Sequence, residues 1–262
     1  MKTFLSEYQN DYTTYTFSYA LYAIKENQAE IPEIYARGFL PYTGRLDIAG
    51  DVFYLARSLR VNLSQFSESS ENRRVMRLAS ELDIQIEICQ KALFDIHAPA
   101  FREFCLHYAE ERFAGGNMGE ARFNYVLERE ILTHILTFTS RGQVLGYLFA
   151  VLEGTLLHYW YAFFDTAYLH SHALGKWMML QTLLFAKQEG LEYAYLGTCY
   201  TPKALYKVRD HRGCEFFDGM GWNADMQLLK TLCKNDAESV SDRDLFKIAD
   251  HPLQPYFPAN LL

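Results

Sequence analysis

The sequence has 262 residues, which is enough for one large domain or two small ones. Half of the residues are hydrophobic and 16% are aromatic. The chain therefore has enough apolar side chains for a core and lacks the composition of an intrinsically disordered protein. No apolar run has the length of a signal peptide or of a membrane-spanning helix. We therefore expect a cytoplasmic protein that does not bind a membrane.

The cysteines argue against two kinds of stabilising site. There are five of them, widely spaced and without a C-x-x-C pair: Cys89, Cys105, Cys199, Cys214 and Cys233. An odd number of cysteines at such spacing predicts neither a zinc site nor a disulfide framework.

The first thirty residues are rich in tyrosine. The tyrosines recur every three or four positions: Tyr8, Tyr12, Tyr15, Tyr19 and Tyr22. This spacing predicts an amphipathic helix or a set of packed loop anchors. An aromatic platform on which nucleic-acid bases stack is the alternative interpretation.

The next stretch alternates between strand and helix patterns. Val52–Leu63 reads as a strand, and Ser67–Leu82 reads as a helix with a serine as its cap. The pattern from Ile84 to Phe113 is helical and is interrupted at Pro99. Residues 114–119 give the strongest loop signal of the chain, because three of the six are glycines. We place a boundary there and predict an N-terminal region (1–115), a core (116–230) and a tail (231–262).

Arginines are concentrated in the N-terminal region. Five fall between residues 57 and 77: Arg57, Arg60, Arg73, Arg74 and Arg77. They form a local basic cluster in a chain whose formal net charge is −7, and arginine is suited to binding phosphate. A solvated helix face with salt bridges to Glu81 and Glu87 is the alternative.

The core reads as a hairpin that leads into a helix and a further strand. Its predicted elements are strands over Ile131–Phe138, Gln143–Leu152 and Leu156–Phe164, an amphipathic helix from Leu174 to about Gly190, a strand over Tyr193–Gly197, and a short helix over Leu228–Cys233. Glu153-Gly154-Thr155 is the turn signal of the hairpin. This order predicts one layer of a mixed sheet with a helix packed across it.

Several short motifs in this order resemble a known superfamily. They are Tyr161–Asp165, Ser171-His172-Ala173-Leu174-Gly175, Tyr193–Gly197, Lys203-Ala204-Leu205-Tyr206-Lys207, and the serine- and arginine-rich runs 57–61 and 69–77. The chain resembles the GNAT acyltransferases and, within them, the aminoacyl-tRNA–protein transferases of the N-end rule type. The resemblance implies an α+β fold: a GNAT-like mixed β-sheet flanked by helices, with a smaller N-terminal α+β region.

The chain departs from that family at the N-terminal cysteine cluster. Gly50–Leu55 stands in the corresponding region without a cysteine, so we expect the protein to be folded and active without metal. His170 and His172 lie two residues apart and could form half of a metal site, but the sequence offers no third ligand.

The resemblance implies transfer of an amino acid, of the arginyl type, from aminoacyl-tRNA to the N-terminal α-amine of a protein or peptide. The expected partners are aminoacyl-tRNA and that N-terminus, without DNA, and no cofactor is implied beyond the co-substrate. One alternative is an N-acetyltransferase that uses acetyl-CoA. The loop His170–Lys176 has one glycine and no arginine, so it is a degenerate version of the loop that binds pyrophosphate in those enzymes. The other alternative is a non-catalytic relative that binds RNA or protein.

The candidate site residues follow from the resemblance and from the chemistry of the reaction. The candidate catalytic residues are Tyr206, Asp165 and Glu153, although Glu153 stands where the family more often has aspartate. The candidate residues for binding substrate or tRNA are Arg57, Arg73, Arg74, Arg77, His172, Gly175, Lys203, Lys207 and Arg209. A backbone N–H of a splayed strand is expected to stabilise the oxyanion.

Overall fold

The computed structural model describes residues 1–13, 16–113 and 118–236. The strands are β1 (Lys2–Asp11), β2 (Thr16–Ile24), β3 (Phe39–Pro41), β4 (Val52–Leu55), β5 (Ser58–Asn62), β6 (Ile84–Gln90), β7 (His134–Ser140), β8 (Gln143–Glu153), β9 (Leu156–Phe164), β10 (Tyr193–Thr198), β11 (Cys214–Phe217) and β12 (Trp222–Asn223). The α-helices are α1 (Ile31–Ala36), α2 (Ser70–Ala79), α3 (Pro99–Arg112), α4 (Glu120–Glu128), α5 (Leu174–Gln188), α6 (Tyr206–Arg209) and α7 (Met226–Asn235).

The strands form two sheets. A four-stranded antiparallel sheet has the order β1-β2-β4-β3, and an eight-stranded mixed sheet has the order β12-β11-β5-β10-β9-β8-β7-β6. In the large sheet β9 and β10 are parallel, and α5 connects them and packs against both. The predicted α+β fold with a mixed sheet flanked by helices is confirmed.

The tyrosine-rich start of the chain is a β-hairpin, so the predicted helix or loop anchors are wrong. β1 and β2 pair along nearly their whole length, and the ring of Phe4 stacks on that of Tyr22 at 5.3 Å between centroids. Threonine, tyrosine and phenylalanine favour strands, and a cross-strand partner outweighs a spacing that is compatible with a helix. Tyr15 lies outside the described residues, while Tyr12 and Tyr19 are exposed.

The predicted strand over Val52–Leu63 is two strands in two different sheets. β4 lies in the small sheet and β5 lies between β10 and β11 in the large one. The chain crosses between the sheets at residues 56–57, and the buried hydroxyl of Ser58 donates to the carbonyl oxygen of Gly38 at 2.6 Å. The prediction failed here because both halves have strand-like sequences and no glycine or proline marks the crossing between them.

The helical pattern predicted from Ile84 is wrong over its first seven residues. Those residues form β6, which pairs with β7 at the edge of the large sheet. Isoleucines at every second position, Ile84, Ile86 and Ile88, are the period-two signal that the longer helical reading concealed. A 3₁₀ turn over Lys91–Leu93 and a short loop follow, and α3 then begins at Pro99, in the first turn, where proline is tolerated.

The elements around the core hairpin agree with the prediction. β8 and β9 pair as a hairpin whose turn holds Gly154 at φ 55°, a conformation that favours glycine. α5 and β10 lie where the periodicity placed them. The N-terminal helix is also confirmed: Ser69 Oγ accepts from the N–H of Asn72, and Asn72 Oδ1 accepts from the N–H of Ser69.

The predicted division at residue 115 remains a prediction. Strands from both sides of that position, β5 and β6 before it and β7–β11 after it, hydrogen bond within one sheet. In the described part of the chain, no helix is both long and apolar enough to cross a membrane. The predicted tail lies largely outside the described residues.

Candidate functional site: a cavity where two strands diverge

The parallel strands β9 and β10 are paired for only three residues. Tyr193, Ala194 and Tyr195 face residues 156–158 of β9, and beyond this point the pairing stops although β9 continues to Phe164. Two irregularities separate the strands. β9 bulges against β8 at residue 160, and β10 shifts its register against β5 before Gly197, whose φ is 80°. The backbone edges beyond the last pair are therefore available to a ligand.

The divergence opens a cavity of about 550 Å³. Its wall is largely aromatic and aliphatic, with contributions from Phe113, Tyr159, Ala162, Phe164, Leu169 and Met179. These residues come from the end of α3, from β9, and from α5 with the loop before it. A cavity of this size with an apolar wall and few polar groups is typical of small-molecule sites.

The charged side chains on the cavity wall are all cationic in the described part of the chain. Arg112, Lys176 and Lys207 line it, and no described aspartate or glutamate does. Lys176 is neutralised by Glu71 at 2.9 Å and Asp210 at 3.0 Å. The Nζ of Lys207 donates to the carbonyl oxygen of Thr198 at 3.2 Å. The cavity therefore favours an anionic or carbonyl-containing ligand.

The first turn of α5 approaches the cavity closely because it carries a glycine. A Cβ atom added to Gly175 would lie 2.7 Å from the ring of Phe164, a distance that real Cβ atoms essentially never show. The preceding Ala173 has a left-handed φ of 53°, which sets the direction in which the helix begins. Both residues line the cavity.

Tyr206 begins α6 and also lines the cavity. The residue is 42% exposed, but desolvation at the cavity wall raises the pKa of its hydroxyl above the ordinary value, while the nearby guanidinium of Arg112 acts in the opposite direction. The hydroxyl is therefore protonated at neutral pH. It can donate a hydrogen bond or a proton to a group in the cavity.

Three of the sequence-predicted site residues meet at this cavity: Tyr206, Gly175 and Lys207. Two of the predicted catalytic residues lie elsewhere. Glu153 is the last residue of β8, where it accepts from the side chain of Gln28 at 2.8 Å. Asp165 caps a 3₁₀ turn by accepting from the N–H of Ala167 at 2.9 Å. Neither lines the cavity, because Glu153 bonds the N-terminal region through Gln28 and Asp165 fixes the turn that follows β9.

Three of the arginines predicted to bind substrate or tRNA already have acidic partners. Arg74 makes two bonds to Glu71 at 2.7 and 2.8 Å, Arg209 bonds Asp210, and Arg57 pairs with Asp236. The alternative of a salt-bridged helix face thus describes Arg74, with Glu71 as the partner in place of Glu81.

The remaining predicted binding residues lie on the surface or face another partner. Arg73, Arg77 and Lys203 are exposed. The Nε2 of His172 bonds Glu81 at 2.7 Å, so this histidine does not face the cavity, whereas His170 does. Among the described residues, no three His, Cys, Asp or Glu side chains lie close enough to hold a metal ion. The expectation that the protein needs no metal stays a prediction.

Sequence reasoning missed two of the cavity's cations and one buried histidine. Arg112 lies within the long stretch predicted to be helical, and Lys176 directly follows Gly175. No motif or spacing in the sequence marks either residue as part of a site. His158 lies inside an apolar strand at the last pair before the divergence. It is 1% exposed, and its Nδ1 lies 2.9 Å from the hydroxyl of Tyr35. A histidine inside an apolar strand is the one signal that could have been noticed.

Comparison with known proteins bears directly on this arrangement. The acetyltransferase (GNAT) domain model matches residues 73–208, just over half of the chain. The chain belongs to the GNAT family. The matched residues run from α2 to α6 and include the diverging strands β9 and β10 together with Gly175, Tyr206 and Lys207. The residues that line the cavity thus lie inside the GNAT domain. The candidate residue Arg57 and the strands β4 and β5 precede the matched residues.

A curated relative points to a narrower class of enzyme than the GNAT family. The chain is 27% identical over 175 residues to the aspartate/glutamate leucyltransferase of Ruegeria pomeroyi. The aligned region covers 64% of this chain and 61% of that relative's length. The arginyl type expected from the sequence is not the type that this name gives.

Solved structures with similar arrangements have low sequence identity. FemX has a TM-score of 0.46 at 10% identity, with 78% of this chain and 71% of that chain covered. The C-terminal domain of a putative lysylphosphatidylglycerol synthetase from Agrobacterium fabrum has a TM-score of 0.43 at 9% identity, with 73% and 65% covered. Both TM-scores are below 0.5, so neither likeness adds to the functional argument.

Proposed function

We propose that this GNAT protein transfers an amino acid from aminoacyl-tRNA to the N-terminal α-amine of a protein or peptide. The observation that carries the proposal is the cavity between β9 and β10, which has an apolar wall, cationic side chains and a protonated tyrosine hydroxyl. An aminoacyl ester brings an amino-acid side chain, a carbonyl and phosphates to one place. The name of the leucyltransferase relative supports the same class of reaction.

The charge of the cavity favours an apolar amino acid over arginine. The guanidinium of an arginyl donor would be repelled by Arg112, and no described carboxylate lines the wall to bind it. An aliphatic side chain would instead contact the apolar wall, including Phe164 and Met179. We therefore assign a leucyl-type donor in place of the arginyl type.

The acceptor in this proposal is an N-terminus that begins with an acidic residue. The relative's name refers to aspartate and glutamate. In this chain Arg112, in the last turn of α3, makes no ion pair with any acid in the described part of the chain. Its guanidinium is suited to binding an acceptor carboxylate through two parallel hydrogen bonds.

The reaction asks for positioning and charge stabilisation more than for a strong base. The nitrogen of the α-amine attacks the ester carbonyl, and the bond from that carbonyl to the ribose oxygen breaks. An α-amine has a pKa of about 8, so roughly a tenth is neutral at pH 7. We assign stabilisation of the oxyanion to backbone N–H groups that β9 leaves unpaired beyond residue 158, and protonation of the departing ribose oxygen to Tyr206.

The test is a transfer assay on the purified chain with tRNA charged with leucine or arginine. The acceptors are peptides that begin with aspartate, with asparagine, or with N-acetylated aspartate. We expect the aspartate peptide to gain the mass of one leucyl residue and the N-acetylated peptide to gain nothing. Acetylation of the peptide by acetyl-CoA, without transfer from either charged tRNA, would replace this function by N-acetyltransfer.

A further inference from the structure

Lys207 differs from the other lysine of the cavity wall in its partners. Lys176 bonds two carboxylates, whereas Lys207 pairs with no acid in residues 1–13, 16–113 and 118–236. Its Nζ has the carbonyl oxygen of Thr198 as its hydrogen-bond acceptor, and it lies 3.5 Å from the point where a Cβ on Gly197 would stand. The amine therefore lies beside the strand end where β10 leaves β9.

The groups around Lys207 do not supply the missing negative charge. The buried thiol of Cys199 has a pKa raised to about 12, so it is uncharged at neutral pH. Burial lowers the pKa of His158 to about 3, and this imidazole is neutral as well. The other charged groups that line the cavity, Arg112 and Lys176, are cations, and Tyr206 is protonated.

An ammonium group that is taken out of water without a counter-ion loses stability relative to the neutral amine. Burial accordingly lowers the pKa of Lys207 below its usual range. A lysine that serves only to bind phosphate would need a pKa high enough to keep its ammonium group charged. The surroundings of Lys207 are those of a lysine that exchanges a proton.

We propose that Lys207, in its neutral form, is the base that removes a proton from the attacking amine; this role rests on the proposed function. As the nitrogen bonds to the ester carbon, it carries an excess proton, which passes to Nζ of Lys207. The carbon–oxygen bond to the ribose then breaks, and the ribose oxygen takes a proton from Tyr206. The ammonium of Lys207 returns one proton through solvent to the tyrosinate, so both side chains are regenerated and no co-reactant is required.

Two substitutions separate this role from phosphate binding. Lys207→Arg carries a fixed positive charge and cannot accept a proton, and Lys207→Met can neither carry the charge nor accept a proton. We expect both variants to lose about 100-fold or more in kcat, with KM for leucyl-tRNA within about twofold of the wild type for Lys207→Arg. Lys230→Arg and Lys230→Met, at an exposed lysine of α7, are the matched controls and should keep the wild-type kcat.

The possible outcomes separate a failure of the proposed base from a failure of the proposed function. A Lys207→Arg enzyme with wild-type kcat would show that charge alone matters and would overturn the role of base. A wild-type protein that transfers no amino acid from any charged tRNA would overturn the proposed function, and the base with it.

A second measurement does not require activity. The protein is labelled with carbon-13 at the lysine Cε and studied by NMR. The resonance that is missing from the spectrum of Lys207→Arg belongs to Lys207, and its chemical shift is followed as the pH is changed. We expect its titration midpoint to lie below the value of about 10.4 that is usual for lysine. A midpoint at or above this value would overturn the proposal, and thermal unfolding of each variant shows whether the fold is kept.

Discussion

Tyr206 and Lys207 are neighbours in the chain, but the cavity makes them complementary. Burial raises the pKa of the tyrosine and lowers that of the lysine. One side chain is therefore kept as a proton donor and the other is moved toward a proton acceptor at the same cavity. A single element, α6, carries both.

Tyr206→Phe tests the donor. We expect turnover to fall by about 100-fold while the affinity for leucyl-tRNA is nearly unchanged, because the proton is given only in the transition state. Steady-state and single-turnover kinetics with charged tRNA measure this. Turnover equal to that of the wild type would make the ring a packing element and exclude the hydroxyl from the chemistry.

Gly175→Ala tests the close approach of α5 to the cavity. The added methyl group would overlap the ring of Phe164, so we expect the free energy of unfolding to fall by about 1–3 kcal/mol. Gly221→Ala is the control, because a Cβ there meets no atom within 4 Å. Thermal unfolding compares the two. Equal stability of the variants would mean that the ring moves aside without cost.

At the scale of elements, a buried hydrogen bond joins α1 to β9. The hydroxyl of Tyr35 on α1 and the Nδ1 of His158 on β9 lie 2.9 Å apart, and both residues are buried. In the described part of the chain the Nε2 of His158 is buried without a partner. This bond connects the small sheet's hydrophobic cluster to the strand that diverges at the cavity.

This contact predicts a dependence of stability on pH. His158 has a pKa of about 3 in the folded protein and about 6.5 when unfolded, so between these values the unfolded chain binds the extra proton. The free energy of unfolding should therefore be fully retained above pH 6.5 and should decrease as the pH falls toward 3.

Denaturant titrations of the wild type and of His158→Gln across this range measure the effect. Glutamine does not titrate, so the variant should show a shallower decrease in the free energy of unfolding. His97→Gln is the control, since that histidine lies outside the core. The same pH dependence in the wild type and in His158→Gln would contradict the assignment.

At the scale of the whole molecule, cations have to compensate for a formal net charge of −7 if tRNA is to bind. The arginines predicted to bind tRNA are partly neutralised within the fold: Arg74 pairs with Glu71, and Arg209 pairs with Asp210. Exposed cations that pair with no acid among the described residues, such as Arg73 and Arg77, can contact phosphates without first breaking an ion pair.

This distinction can be measured by the salt dependence of tRNA binding. We expect affinity to fall as salt rises, and the slope of log K against log salt to decrease in magnitude when exposed Arg73 or Arg77 is changed to Gln. Arg74→Gln, on the same helix, is the matched control and should change the slope less. Equal effects of all three substitutions would contradict the role of the ion pairs.

Local patterns in the sequence determined the centre of this fold. The hairpin of β8 and β9 and the helix α5 were predicted within a few residues, because their apolar spacing and the turn at Gly154 act over short distances. The same holds for the cap of α2 at Ser69. The Lys203–Lys207 segment was placed after β10, where Tyr206 and Lys207 reach the cavity.

The tertiary structure decided the features that depend on contacts between residues far apart in the sequence. β6 became a strand because β7 offered an edge, and the charges of Arg74 and Arg209 were taken up by acids. Arg112 joined the cavity across almost a hundred residues of sequence from Lys207. Strand pairing, burial and charge neutralisation depend on spatial neighbours, whereas periodicity and capping depend on residues only a few positions away.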